Sequence, residues 1–265
     1  MKIAVCGKGG CGKSTITSLL AKELARKCKR VLVIDSDESN YGLHKQLGME
    51  FPGDFTEYFG GKNKAFKTMM TGEVLSQIKL SAFAKKFFTE TWTLDDIPPE
   101  YLSVKDGVML MASGKIHEAN EGCACAMGSI LKEMLVNLKL KSDEFVIADM
   151  EAGIEHFGRG VDNSVDMIMM IVDPSFESLR LSTKIKELGN SIQKPVYFCL
   201  NRTTEESIAP MLDMVSDRDK AVICQMPLTV SILRAGLNGE ELQDSYKEIQ
   251  RLAEFFITKN TEIEK

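Results

Sequence analysis

Short apolar runs recur along the chain, separated by stretches in which apolar residues return every third or fourth position. Lys2–Cys6, Arg30–Ile34, Val108–Ala112, Phe145–Ala148, Met167–Val172, Val196–Leu200 and Ala221–Cys224 are mostly continuous in apolar residues rather than alternating. Continuous runs of this length predict parallel strands covered on both faces. Between them, Ile130, Leu131, Met134, Leu135 and Leu138 share one helical face, as do Leu179, Leu181, Ile185 and Leu188. A last helix is expected from about Glu240 to Ile257. The expected fold is α/β, a doubly wound, mostly parallel sheet with helices on both faces. Such sheets bind ligands at the C-terminal ends of their strands. Residues 51 to about 104 break the rhythm: they are mixed in charge and contain Phe83, Phe87, Phe88, Trp92 and the Pro98–Pro99 turn. They are read as a mainly helical insertion, its aromatics belonging to a core, within a single domain covering residues 1–265.

The first candidate chemistry lies directly after the first run. Residues 7–15 read GKGGCGKST and fit GxxxxGK[ST] through Gly7, Gly12, Lys13 and Ser14. A strand precedes this loop and a helical pattern (Ile16, Leu19, Leu20, Leu24) follows it, the setting a phosphate-binding loop requires. Backbone N–H groups of Gly9, Gly10, Cys11, Gly12, Lys13, Ser14 and Thr15 can then converge on the phosphates of ATP, helped by the helix N-terminus. Lys13 is expected at the terminal phosphates and the Ser14 hydroxyl on Mg²⁺. Lys8 cannot easily fold back onto phosphates that its own loop encloses. Its expected use is to reach a partner's nucleotide across a dimer interface.

Two further runs end in acids. Asp35 and Asp37 follow the second run, and Asp149 closes Phe145-Val-Ile-Ala-Asp149. Carboxylates at the ends of parallel strands face the ligand crevice, where one can hold Mg²⁺ through water and another can position an attacking water. Asp35 and Asp37 are both placed for these roles, and capping of the next helix is the alternative. Asp149 is read as the acid that leads into a mobile, glycine-containing loop, DMEAGIEHFGRG. His156 sits in that loop. Packing is its expected role, and metal binding or proton transfer is the alternative.

Cys123 and Cys125 are one residue apart, before a helix expected to begin near Ser129. Both can face one metal, and a helix N-terminus favours the thiolate. One protomer supplies too few thiolates for a closed site, whereas a twofold dimer supplies four. Four sulfurs suit tetrahedral Zn²⁺ or an Fe–S cluster, and Ni²⁺ if flattened. Two buried structural thiols are the alternative. Cys6, Cys28, Cys199 and Cys224 are expected in the core, and Cys11 to pack within its loop.

Composition narrows the classes. The net charge of −5 over 265 residues argues against a protein that coats DNA. No run of 18 apolar residues or signal-peptide pattern is present, so no membrane span is expected. Seven cysteines in a chain of this length suggest a reducing cytoplasm rather than a disulfide framework.

GKGGCGKST, with its extra lysine, resembles the deviant Walker A ATPases, which include MinD, ParA, the nitrogenase iron protein and CooC-type nickel-insertion ATPases. The resemblance implies a P-loop NTPase that forms a nucleotide-sandwich dimer, with Lys8 acting in trans, Asp37 in switch I, where it is expected to activate the attacking water and to hold Mg²⁺ through water, and Asp149 of the Walker B strand running into switch II. It also implies that Asn201 hydrogen-bonds adenine and that Pro227 lies along the base. DMEAGIEHFGRG and the cysteine pair look like the CooC type. This adds Ni²⁺ or Zn²⁺ as cargo, a homodimer promoted by nucleotide and metal, and a nickel enzyme such as carbon monoxide dehydrogenase as client. The resemblance is weakest over residues 51–104. Ala126 stands where CooC-like sequences often carry proline, and Cys11 where a small aliphatic residue is usual. Two other functions remain in view. A reductase of the nitrogenase-iron-protein type would take a cluster cysteine near switch II, but no cysteine lies between Asp149 and Cys199. A MinD-type positioning ATPase would need a basic C-terminal helix, but residues 239–265 hold seven acids and four bases.

Overall fold

The computed structural model describes residues 1–59, 91–115, 124–215 and 218–263. Eight strands form one sheet: β1 (Lys2–Gly7), β2 (Arg30–Asp35), β3 (Ser103–Lys105), β4 (Val108–Ala112), β5 (Glu144–Asp149), β6 (Met167–Val172), β7 (Val196–Thr203) and β8 (Val222–Pro227). Their spatial order is β3-β4-β2-β5-β1-β6-β7-β8. Every pairing is parallel except β3 with β4. The doubly wound, mostly parallel sheet expected from the apolar runs is therefore the observed fold.

Nine α-helical segments are described: α1 (Lys13–Arg26), α2 (Leu43–Leu47), α3 (Ala124–Asn137), α4 (Glu155–Arg159), α5 (Phe176–Ser191), α6 (Glu205–Met214), α7 (Arg218–Ala221), α8 (Val230–Asn238) and α9 (Lys247–Ile263). Alternate residues of β1 point to opposite faces, as the pleat dictates. Ile3 and Val5 meet Ile16, Leu20 and Leu24 of α1 and Leu252 and Phe256 of α9 in one core layer. Ala4 and Cys6 face the other layer, with Ile130, Met134 and Leu135 of α3 and Leu179 and Ile185 of α5. Burial from both sides explains why the sequence shows unbroken apolar runs.

Four local expectations need correcting. The last helix runs Lys247–Ile263 instead of starting near Glu240. Gly239 ends α8 in the left-handed region, φ 65°. The next residues lie against α1 and α2, with Leu242 N–H donating to the Gln46 carbonyl at 2.9 Å and Lys22 Nζ to the Leu242 carbonyl at 2.8 Å. Those bonds replace the helical ones. Cys28 is exposed, because it lies beyond the end of α1 at φ 57°. The helix expected from Ser129 extends back to Ala124, so Cys125 falls within its first turn. The short antiparallel edge strand β3 was not anticipated. Its turn, Asp106-Gly107, has φ 49° and 83° and joins β3 to β4 as a two-residue hairpin.

Of the 51–104 stretch, residues 60–90 lie outside the described residues, and with them Phe83, Phe87 and Phe88. Its described parts contain β3 and three 3₁₀ turns, at Phe55–Phe59, Leu94–Asp96 and Pro99–Tyr101. Trp92 packs edge-on to Phe55 and Tyr58, and its N–H donates to the Asn137 carbonyl at 3.0 Å.

Candidate functional site

The sheet register sets the site's floor. Asp35 and Asp149 are paired residues on adjacent β2 and β5, and Val5 of β1 lies level with Asp149. The loop after β1 therefore rises beside both carboxylates. Gly12 precedes α1 at φ 99°, and a β-carbon there would lie 2.3 Å from Asn201 Nδ2. Only glycine permits both that conformation and that approach. No side chain caps the start of α1, and its first turn holds no acid. Its free N–H groups and positive end are thus available to an anion.

Lys13 is buried, and its ammonium donates back to the Lys8 carbonyl at 3.4 Å, across the loop. The Ser14 hydroxyl donates to Asp149 Oδ2 at 2.6 Å and accepts from Asn40 Nδ2 at 2.7 Å. The other Asp149 oxygen is buried with no hydrogen-bond partner. Burial pushes the Asp149 carboxyl up to about 6, against the Ser14 hydrogen bond and the Lys13 charge. A buried carboxylate with one spare oxygen beside a hydroxyl is a hard, all-oxygen donor set, and it fits Mg²⁺. Asp37 stays in its own loop, where its carboxylate accepts from Ser39 N–H at 3.0 Å and Ser39 Oγ at 2.6 Å.

Lys8 points away from the loop interior. Its ammonium donates to Ser175 Oγ at 3.2 Å and lies 3.9 Å from Asp173 and 3.8 Å from Glu177, around the start of α5. Asn201 donates to the Cys11 carbonyl at 2.8 Å and so ties the end of β7 to the loop. It shares a cleft of about 290 Å³ with Thr15, Arg202, Pro227, Leu228 and Ile232. Asn201, Pro227 and Thr15, far apart in sequence, thus meet beside the phosphate loop. Cys11 is buried, and burial pushes its thiol up to about 11, consistent with packing.

The loop after Asp149 contains α4. His156 is buried there, with Nδ1 2.9 Å from Asp162, which agrees with the packing role. Arg159 pairs with Glu151 and lies so close over Gly128 of α3 that a β-carbon on Gly128 would be 2.7 Å from its Cδ. Cys123 lies outside the described residues, as does the side chain of Cys125. Among the described residues, no group of three His, Cys, Asp or Glu is arranged to hold a metal ion.

Sequence reasoning missed two site residues. Asn40 holds the Ser14 hydroxyl, and Lys115 holds Asp35 at 2.7 Å. A lysine just beyond an apolar strand was the only signal for Lys115, and its partner is 80 residues away in the chain (115 − 35).

Residues 2–242 match the model of the CobQ/CobB/MinD/ParA nucleotide-binding domain. The chain belongs to that family. It is an ATP-binding ATPase of the MinD, ParA and CooC group. An uncharacterised ATP-binding protein of Methanocaldococcus jannaschii is 49% identical over 254 residues, which cover 96% of this chain and 98% of that one. The carbon monoxide dehydrogenase accessory protein CooC of Rhodospirillum rubrum is 34% identical over 192 residues, covering 72% of this chain and 70% of that one. The septum site-determining protein MinD of Pyrococcus horikoshii, solved with Mg-ADP, superposes with a TM-score of 0.65 at 18% identity over 96% of this chain and 95% of that one. That structural likeness carries the fold. Among the described residues no helix is long and apolar enough to cross a membrane.

Proposed function

We propose that the protein is an ATP-driven metallochaperone whose cargo is Ni²⁺ or Zn²⁺, held by Cys123 and Cys125 of two protomers. Its client is carbon monoxide dehydrogenase or a related nickel enzyme. The observation that carries the reading is that α3 begins at Ala124, between the two cysteines in sequence, and that its Gly128 lies under Arg159 of the loop after Asp149. A change in that loop would therefore be felt at α3. The CooC relative, named as an accessory protein of carbon monoxide dehydrogenase, supports the same choice of client.

In this reading residues 1–265 act as one ATPase domain. Lys13 reaches the terminal phosphates, and backbone N–H groups from Gly9 to Thr15 hold the rest of the triphosphate. Ser14, Asp149 and, through water, Asp37 hold Mg²⁺, which supplies charge neutralisation at the phosphates. Asp37 orients the attacking water. Asn201 and Pro227 frame the base. Lys8 leaves Asp173 and Glu177 to serve the partner's nucleotide, so dimerisation and hydrolysis are coupled. Reopening of the dimer after hydrolysis changes how the shared thiolates hold their metal.

Titrating Ni²⁺ into reduced protein tests the cargo site. Replacing Cys123 and Cys125 by serine is expected to abolish tight binding and to leave ATP affinity unchanged, because the two sites use separate residues. Undiminished metal binding by the double variant would contradict the reading.

A further inference from the structure

Lys115 is a fully buried lysine, a placement rare unless its charge is satisfied. It follows β4, far in sequence from the phosphate loop. Its ammonium lies 2.7 Å from Asp35 Oδ2, donates to the backbone carbonyl of Asp37, and sits 5.8 Å from the centre of the Tyr41 ring. Its own N–H donates to Asp54 Oδ2 at 3.1 Å, which fixes the base of the side chain. Asp35 Oδ1 in turn accepts from Asp37 N–H at 3.3 Å. All three contacts of the ammonium thus fall between residues 35 and 41. Asp37 is held through both its backbone N–H and its backbone carbonyl, one by way of Asp35 and the other directly.

We propose that Lys115 is a positioning residue for ATP hydrolysis: its ammonium, held by Asp35, fixes the Asp37 backbone and so sets where the Asp37 carboxylate can reach when nucleotide is bound. An ammonium has three donors and no acceptor, so it can satisfy a carboxylate and a carbonyl at once. A neutral side chain of the same length cannot. Tyr41 is half exposed and covers the ammonium from the solvent side. Without Lys115 the backbone pairing of Asp35 beside β4 remains, but the side-chain hold on Asp37 is lost. Nucleotide affinity, which rests on the phosphate loop and α1, is left largely intact, and the loss falls on turnover.

The inference rests on the reading of Asp37 as the water-orienting carboxylate and not on metal cargo. Four variants test it, with kcat, KM and nucleotide affinity measured on the full chain with Mg-ATP. Asp37→Ala checks the underlying reading and is expected to be slow. Lys115→Met is expected to bind ATP within about threefold of the parent and to lose at least about tenfold in kcat. Because it leaves Asp35 buried and unpaired, the double variant Lys115→Met/Asp35→Asn is included to restore neutrality. It is expected to recover most of the lost Tm while kcat stays low. Lys115→Arg, which keeps the positive charge and several N–H donors, is expected to regain a substantial part of kcat. A double variant that turns over at the parent rate while Asp37→Ala is slow would overturn the role of Lys115. So would losses in kcat that follow only losses in Tm across the series. Parent-rate turnover by Asp37→Ala would instead remove the reading on which the role depends.

Discussion

At the level of single residues, the site is organised by what burial leaves unsatisfied. Lys13 is buried, yet among the described residues its ammonium makes one long hydrogen bond, 3.4 Å to a loop carbonyl, and a spare Asp149 oxygen waits beside Ser14. Burying such groups costs free energy unless a ligand completes them. Lys13→Ala is accordingly expected to abolish ATP binding or hydrolysis, read by nucleotide titration and phosphate release. Turnover at the parent rate would refute the phosphate-loop assignment. Most of these residues were legible in the sequence, because Gly7–Thr15, Asp37 and Asp149 announce themselves by spacing and by position after apolar runs. Asn40 and Lys115 were not legible. Their roles come from partners brought close by the sheet, and a lone Asn or Lys carries no local pattern. Cys28 was misplaced for a related reason: two residues beyond the end of α1, at Arg26, the helical face no longer sets a side chain's exposure.

At the level of elements, a charge cluster holds the segment between α8 and α9 in its non-helical path. Glu241 accepts from Lys22 at 2.6 Å and from Lys105 of β3 at 2.8 Å, bridging α1, the sheet edge and the C-terminal segment. Its carboxylate crowds Gly48, where a β-carbon would lie 2.3 Å away. Partial burial alone pushes the Glu241 carboxyl up, but the hydrogen bonds and charges of Lys105 and Lys22 outweigh it and hold it down at about 2. A depressed folded-state pKa contributes stability that is fully present above the ordinary glutamate value and is lost as pH falls toward the folded value. Glu241→Gln should therefore cost roughly 1–2 kcal/mol at neutral pH, after allowance for solvent screening. The gap should close as pH drops below about 4.5. Denaturant titrations of both proteins at pH 7 and near pH 3 check this, and a gap unchanged between them would contradict it. The same cluster explains why the last helix starts later than its apolar pattern suggested. The pattern from Glu240 allows a helix, but bonds to Gln46 and Lys22 take the backbone groups first. The edge strand β3 was within reach of the sequence, since Asp-Gly before an apolar run is a strong hairpin signal.

At the level of the whole molecule, two features bear on assembly. Lys8 rests beside Asp173, Glu177 and Ser175, next to an open cleft that also includes Gly9, Gly153, Glu155 and Arg180. A partner approaching there would offer Lys8 a triphosphate in place of these acids. If Lys8 acts in trans, Lys8→Ala and Asp37→Ala are each expected to be slow alone, and mixing them should restore hydrolysis at one of the two sites of a mixed dimer. Absence of recovery in demonstrated mixed dimers would argue for action within one chain. The second feature is Cys123 and Cys125, on either side in sequence of Ala124 where α3 begins, which in the proposed reading join metal to the same assembly. Because coupling between two sites is reciprocal, metal should promote the ATP-bound dimer as ATP promotes metal binding. Native mass spectrometry of the reduced protein with Ni²⁺, with and without Mg-ATP, tests the central claim most directly. The account predicts one metal per dimer, a dimer fraction raised by each ligand, and loss of the metal-bound species in Cys123→Ser and Cys125→Ser. One tightly held metal per monomer, with no shift in assembly, would contradict it.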